Sequence, residues 1–458
     1  MIFNPETAAI RFGTGLSPNI VPPENMAAML AKLNEPDHAA KRFQINGFDW
    51  VEETDLEIRR LKKLQRENPD QAKKYKTQER KLKRQARVKQ SDWLRATFAR
   101  GIFTEDGFRE RLVQFWADHF TVVGKQGVMK SAAATFVEEA IRPHVSAKFG
   151  DMLKAATFHP MMLFYLDQIK SVGPASLVAV RSPGRGINEN LAREVLELHT
   201  LGVDGAYTQD DIKELAKLFS GLTYRRKKGF IYDANMAEPG PETVLGKSYG
   251  GYIQDLFHVT DFLDDLALHP DTARHLAKKL VVHFISDTPD ADLVDEIAAA
   301  YLGSGGDLMA CYKAMLSHPA AWVVKSDKIK WPSNYIISAI RALGVKEEDF
   351  IKLKPKKMRV LIVAPMGLMG QLWENPRGPD GWKEDAKHWI SPQGLAARIQ
   401  WAMLAPVQLR PRLPNPGKFV VRALGARASQ QLKFAAGGAE TKADGIGLVL
   451  ASPEFQRN

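Results

Sequence analysis

Three side chains on one short stretch have the types and spacing to do chemistry. Asn190, Glu194 and Glu197 fall at i, i+4 and i+7. At about 100° per residue they gather on one edge of a helix, beside an apolar face made by Leu191, Val195 and Leu198. Two carboxylates and an amide on one stripe suit a hard cation or an acid–base pair. The competing reading is structural: Glu194 pairs with an Arg or Lys from a neighbouring helix, and Glu197 is solvated or paired with Arg193. A second group is aromatic. Trp373, Trp382 and Trp389 lie within 17 residues, among Pro376, Gly378, Pro379 and Gly381. They read either as anchors that pin a long loop to the helices or as a ligand-binding surface for a sugar ring or an extended peptide, with Asp380, Asp385 and His388 beside them. The Gly-Pro-Asp-Gly turn at 378–381 marks Trp382 as the member expected to be exposed.

Histidines join these groups poorly. His199 lies about 140° round the helix from Glu194, towards the apolar face, so a Glu-x-x-Glu-x-His metal reading fails on geometry. His119 sits among Phe115, Trp116 and Phe120, which suits a hydrogen-bonded core histidine. His159 and His269 each precede a proline at a helix start, where capping accounts for them. A site joining His119 or His159 to Glu194 by tertiary contact stays open, since helical bundles draw metal ligands from separate helices. The metal and cofactor content is therefore unassigned. Neither HExxH, G-x-x-x-x-G-K-[ST], G-x-S-x-G nor C-x-x-C occurs.

The element that positions the stripe is a helix, a glycine link and a second helix over 188–224. Asn188 is placed to cap the first helix, and Gly202 stands where a left-handed residue is wanted. Thr208 with Asp211 reads as a capping box for the second, whose apolar face is Ile212, Leu215 and Phe219. The motif Asn-Glu-Asn-x-Ala-Arg-Glu-x-x-Glu-Leu-x-Thr-Leu-Gly, followed by Tyr-Thr-Gln-Asp-Asp, closely resembles the signature of the bacterial family called domain of unknown function 1800. Phe-Trp-Ala-Asp-His-Phe at 115–120, Phe-His-Pro-Met-Met-Leu-Phe-Tyr-Leu-Asp at 158–167, the His-Pro-x-x-Ala-Arg-His run from 269 and the terminal Leu-Ala-Ser-Pro-Glu-Phe-Gln resemble other parts of the same family. The resemblance spans almost the whole chain and brings no reaction with it. It does imply a partner: members of the family are often encoded beside a sulfatase-like protein, so an assembly role with such a partner stands beside the enzyme or ligand-binder reading.

The rest of the chain reads as mainly α, a single large irregular helical domain over 1–458 with long loops. Helical periodicity recurs at 108–123, 257–268, 271–284, 291–301, 307–316, 332–343 and 392–404, and one small β-hairpin fits within 229–251. Residues 52–90 read as a charged helical insertion divided at Pro69, with too few apolar residues for a full core face. The formal charge of +11 is concentrated there, with 14 Lys and Arg against 7 Asp and Glu. An anionic-polymer binder acting through 55–90 is the third reading, although a single aromatic, Tyr75, offers little to stack on bases and argues against nucleic acid. One cysteine, Cys311, excludes a disulfide framework within the chain. The first residues lack the pattern of a signal peptide and no apolar run reaches membrane-span length, so a cytoplasmic location is the expectation.

Overall fold

The computed structural model describes residues 3–323 and 328–458. It is mainly α, as the periodicity requires, with two antiparallel hairpins as the only sheets among the described residues. The sequence led us to expect one hairpin within 229–251. The first instead begins directly after the central helix pair, Leu222–Arg225 against Gly229–Tyr232, and the second joins Gly240–Val244 to Lys247–Gly251. Leu245 and Gly246 both have positive φ, 52° and 77°, the two-residue turn whose twist matches that of paired strands. Among the described residues no helix is long and apolar enough to cross a membrane.

Apolar side chains collect in two large clusters. The first surrounds the central helix pair, where Leu191, Val195 and Leu196 are fully buried, and takes in the Gly107–His119, Leu256–Ala267, Pro270–Phe284 and Leu308–Ser317 helices. The second is built round Pro332–Leu343, a helix buried at every residue, with Pro392–Leu409, Pro416–Leu424 and Lys442–Ala451 against it. One long helix, Ala72–Phe103, serves both: Ala86 and Trp93 enter the first cluster, Leu94, Phe98, Ala99 and Ile102 the second. A buried arginine reinforces the seam. Arg341 donates to the carbonyls of Ile102 and Thr104 (both 2.8 Å), which the end of that helix leaves without intrahelical partners, and to Gly15 (2.9 Å).

The charged segment forms a helical hairpin, Phe48–Glu67 and Ala72–Phe103, turned by a short 3₁₀ segment at Pro69–Gln71. Both helices run past the ends of residues 52–90, and the root is more apolar than the sequence led us to expect. Val51, Ile58, Leu61, Ala86 and Trp93 are buried there, with Trp50 edge-on to Trp93 at 5.3 Å. Farther out, charges are neutralised along each helix by Asp55–Arg59 (2.6 Å), Glu57–Arg60 (2.7 Å) and Glu79–Lys83 (2.6 Å). Exposed pairs such as Glu57–Arg60 contribute only a few tenths of a kcal/mol each.

Root and tip should therefore respond differently to mutation. Replacing residues 66–78 by a short Gly/Ser link, which joins Gln65 to its hydrogen-bonded neighbour Glu79 (3.0 Å), should shift urea stability by less than about 1 kcal/mol. Trp93→Ala should lose about 3–5 kcal/mol in the same titration. Similar losses from both changes would show that the whole hairpin is structural.

Candidate functional site

The central helix is built much as its capping signals require. Asn188 Oδ1 accepts from the Asn190 N–H at 2.9 Å, Gly202 has φ +87°, and Thr208 and Asp211 make both bonds of the capping box. Its middle departs from the periodic reading. Asn190–Glu194 is α-helical, but Val195–Thr200 widens into a π-helix, marked by the Leu201 N–H donating to Leu196 O at 3.0 Å. Such widened turns cluster at functional sites. The carbonyls at its end find partners outside the helix. Leu198 O accepts from His275 Nε2 (3.2 Å) and His199 O from His119 Nε2 (3.1 Å).

Each of those ring nitrogens must carry a proton, because a carbonyl only accepts. Burial, with the positive charge of Lys279 behind it, holds His119 well below its ordinary value and lowers His199 to about 3 and His275 to about 4. All three are neutral imidazoles at physiological pH. His199 packs on Phe120 at 4.9 Å and takes no part with Glu194. His159 is drawn elsewhere, to Glu139 at 2.9 Å. Among the described residues no group of three or more His, Cys, Asp or Glu is arranged to hold a metal ion.

The three residues of the stripe have different surroundings. Asn190 is exposed. Glu197 is held by Arg193 at 3.1 Å, and Arg193 also binds Glu189 (3.2 Å) and Gln209 (2.9 Å). Glu194 is half-buried and lacks the basic partner from a neighbouring helix that its position led us to expect. Its Oε2 is buried with no hydrogen-bond partner among the described residues. Burial first, then the negative charge of Glu197, pushes this carboxyl up to about 7, against the pull of Arg193; Asp380 adds to the push. The Tyr165 phenol is raised by burial and by Glu194 and Asp380, so these three groups form one acidic, partly dry corner.

Asp380 belongs to the tryptophan-rich loop, and the loop turns inward. Trp389 is fully buried between Trp331 (6.4 Å) and Trp382 (6.1 Å), with its Nε1–H donated to Lys383 O at 2.9 Å. Trp373 is half-buried against Phe98 at 5.9 Å. Trp382 is half-buried too, so the turn before it does not project its ring into solvent. The reason is Asp118. Its Oδ1 accepts the Trp382 N–H at 2.9 Å, and a Cβ at Gly381 (φ +77°) would lie 2.5 Å from Oδ2, so only glycine permits the approach.

Asp118 also brings a cation into view. Burial pushes its carboxyl up to about 8, with Glu384 and Asp380 adding to the push and the Trp382 N–H and Lys279 opposing it. Burial lowers Lys279, against the attraction of Asp118, Glu384 and Asp380, and Lys279 has neither a hydrogen bond nor an ion pair among the described residues. Glu384 shows the opposite outcome. Although burial works against it, His283 (2.6 Å) and Lys328 (3.0 Å) hold it at about 2. Asp118, Lys279 and Glu384 escape sequence reasoning. Asp118 and Lys279 lie inside family-like motifs, but only tertiary burial makes them unusual.

A carboxyl raised in the fold becomes a cost once the unfolded chain ionises it. For Glu194 the penalty is absent below its unfolded value near 4.5, accumulates between there and about 7, and is complete above. Glu194→Gln should therefore be more stable than the parent at pH 8, by on the order of 1 kcal/mol after allowing for solvent screening, and equal to it near pH 4. Thermal melts at the two pH values measure this, and a loss of stability at pH 8 would reveal a cationic partner.

No curated protein and no solved structure shows significant similarity to the chain. A family model does match, over residues 8–457, and is described as "Protein of unknown function (DUF1800)". The match takes in the central helix, the tryptophan-rich loop and the groups that face them. The chain belongs to the DUF1800 family.

Proposed function

We propose that the chain is an enzyme or ligand binder handling a small polar molecule beside the central helix, with Glu194 as the proton-exchanging group. The observation that carries this reading is the buried, unpartnered Glu194 Oε2. A carboxyl that titrates at about 7 is half ionised at neutral pH and serves equally well as base or acid. Structural carboxylates in this protein, such as Glu384 and Glu110, are instead bonded to cations. In this reading Glu194 takes a proton from the bound molecule, and the Tyr165 hydroxyl, whose phenol shares the electrostatics of Glu194, donates a hydrogen bond to it. Asp380 adds negative charge to the same corner and favours the protonated form of Glu194. Glu197 and Arg193 fix the helix edge, and Asn190 offers an exposed amide at the rim.

A second reading is an assembly protein, acting with a partner such as the sulfatase-like protein that the family resemblance implies. It is favoured by Tyr252, Ile253 and Phe257, large apolar side chains exposed together after the second hairpin. The basic outer part of the hairpin at 55–90 leaves anionic-polymer binding as a subordinate role.

Ligand-observed NMR of the full chain with a mixture of small polar compounds separates these readings. The acid–base site predicts bound compounds whose affinity changes with an apparent pKa near 7 and falls at least tenfold in Glu194→Gln. No binding, or binding indifferent to the substitution and to pH between about 5 and 9, would contradict it.

A further inference from the structure

A cavity of about 170 Å³ lies where the two apolar clusters meet, beneath the tryptophan-rich loop. Val113 and Phe136 face it from the first cluster, Phe98 and Ile337 from the second, and Trp373 and Trp382 from the loop. A dry cavity of roughly 150 Å³ accommodates a benzene ring, so a compact organic molecule fits here.

The charged groups around it do not balance. Arg100 is bonded to Glu138 at 2.7 Å, and Arg142 to Glu110 at 2.9 Å and to Asp37 at 2.7 Å. Those pairs leave two lining carboxyls, Asp118 and Glu374, with no cation in bonding contact among the described residues. Lys279 acts on Asp118 only from a distance. Glu374 is the more telling. It is a non-glycine residue held at φ +50°, its Oε2 is buried without a partner, and burial raises its carboxyl to about 8. Its other contacts, the Gln90 side chain and the Ala134 backbone, are neutral. Two further lining groups also lack partners among the described residues, Gln114 Oε1 and Trp373 Nε1. A left-handed carboxylate residue kept buried without a cation is costly, and such costs collect at ligand sites.

We propose that this cavity binds a small organic cation, a protonated amine on a flat or alkyl body, with Glu374 and Asp118 as its counter-charges and the faces of Trp373 and Trp382 against it. An ammonium supplies the donors that Glu374 Oε2 and Gln114 Oε1 lack, and indole faces attract cations most strongly where water is excluded. Trp373 Nε1–H is left for a ligand oxygen or a water. This inference stands on the cavity alone and does not depend on the role of Glu194.

Three probes of one shape test it: 2-phenylethylammonium, 2-phenylethanol and phenylacetate, titrated into the full chain and followed by calorimetry and tryptophan fluorescence. The ammonium should bind at least tenfold more tightly than the alcohol, and the carboxylate should not bind. Glu374→Gln should remove the preference for the cation while leaving binding of the alcohol. Asp118→Asn, checked alongside by circular dichroism, should reduce the preference and so covers the case in which Glu374→Gln fails to fold. Equal binding of alcohol and ammonium, preference for the carboxylate, no saturable binding of any probe, or a cation preference that survives in the folded variants would overturn the proposal.

Discussion

Burial of the Asp118 carboxyl against the backbone of the tryptophan-rich loop is the contact on which the arrangement of both sites depends. Asp118 stands near the end of a helix packed in the first apolar cluster, and its bond to the Trp382 N–H brings the loop down across the seam to the second. On one side the loop roofs the cavity with Trp373 and Trp382. On the other it carries Asp380 and Glu384 towards Lys279 and Glu194. Gly381 is required for this approach, because any Cβ there would collide with the carboxylate. A hydrogen bond of this kind contributes about 0.5–1.5 kcal/mol, which helps decide where a loop rests but does not fold it. The aromatic packing of Trp389 against Trp331 and Trp382 does the larger part of that.

The same interior treats its ionisable groups in two ways. Arg142 with Glu110 and Asp37, Arg100 with Glu138, and Glu384 with His283 and Lys328 are compensated pairs whose main effect is to fix geometry. Glu194, Glu374 and Asp118 are removed from water with no cation bonded to them among the described residues. Desolvation of a lone carboxyl is unfavourable, so its persistence in a fold able to place arginines well calls for a reason beyond packing. That contrast supports looking for ligands at Glu194 and at the cavity rather than at His119 and His275, whose Nε2–H groups are occupied by the carbonyls of the widened central helix.

Local signals in the sequence were read correctly where the chemistry is local. The left-handed Gly202 and the Thr208–Asp211 box each involve neighbours within a few residues and form, and Asn188 bonds the first helical N–H from one residue ahead of the N-cap position, Glu189. The π-turn at Val195–Thr200 was not legible, because its extra residue per turn answers to tertiary partners, two imidazole N–H groups from other helices, and leaves no mark on apolar spacing. The root of the charged hairpin was missed for a related reason: Val51, Ile58 and Ala86 are sparse in sequence but meet across two antiparallel helices. Trp382 followed a turn that projects side chains outward in isolation, and Asp118, 264 residues away, turned it in. Lys279 and Glu374 look like ordinary surface residues until their surroundings are assembled.

The claim at the centre of this account is that Glu194 keeps its proton near neutrality because burial and the charge of Glu197 outweigh the pull of Arg193. Carbon-detected NMR of the side-chain carboxyls, assigned through Glu194→Gln and followed from about pH 3 to 10, measures this directly. The account predicts a resonance titrating at about 7. A midpoint at or below the ordinary glutamate value near 4.5 would show that Glu194 is compensated like its structural counterparts and would contradict the assignment of a site there.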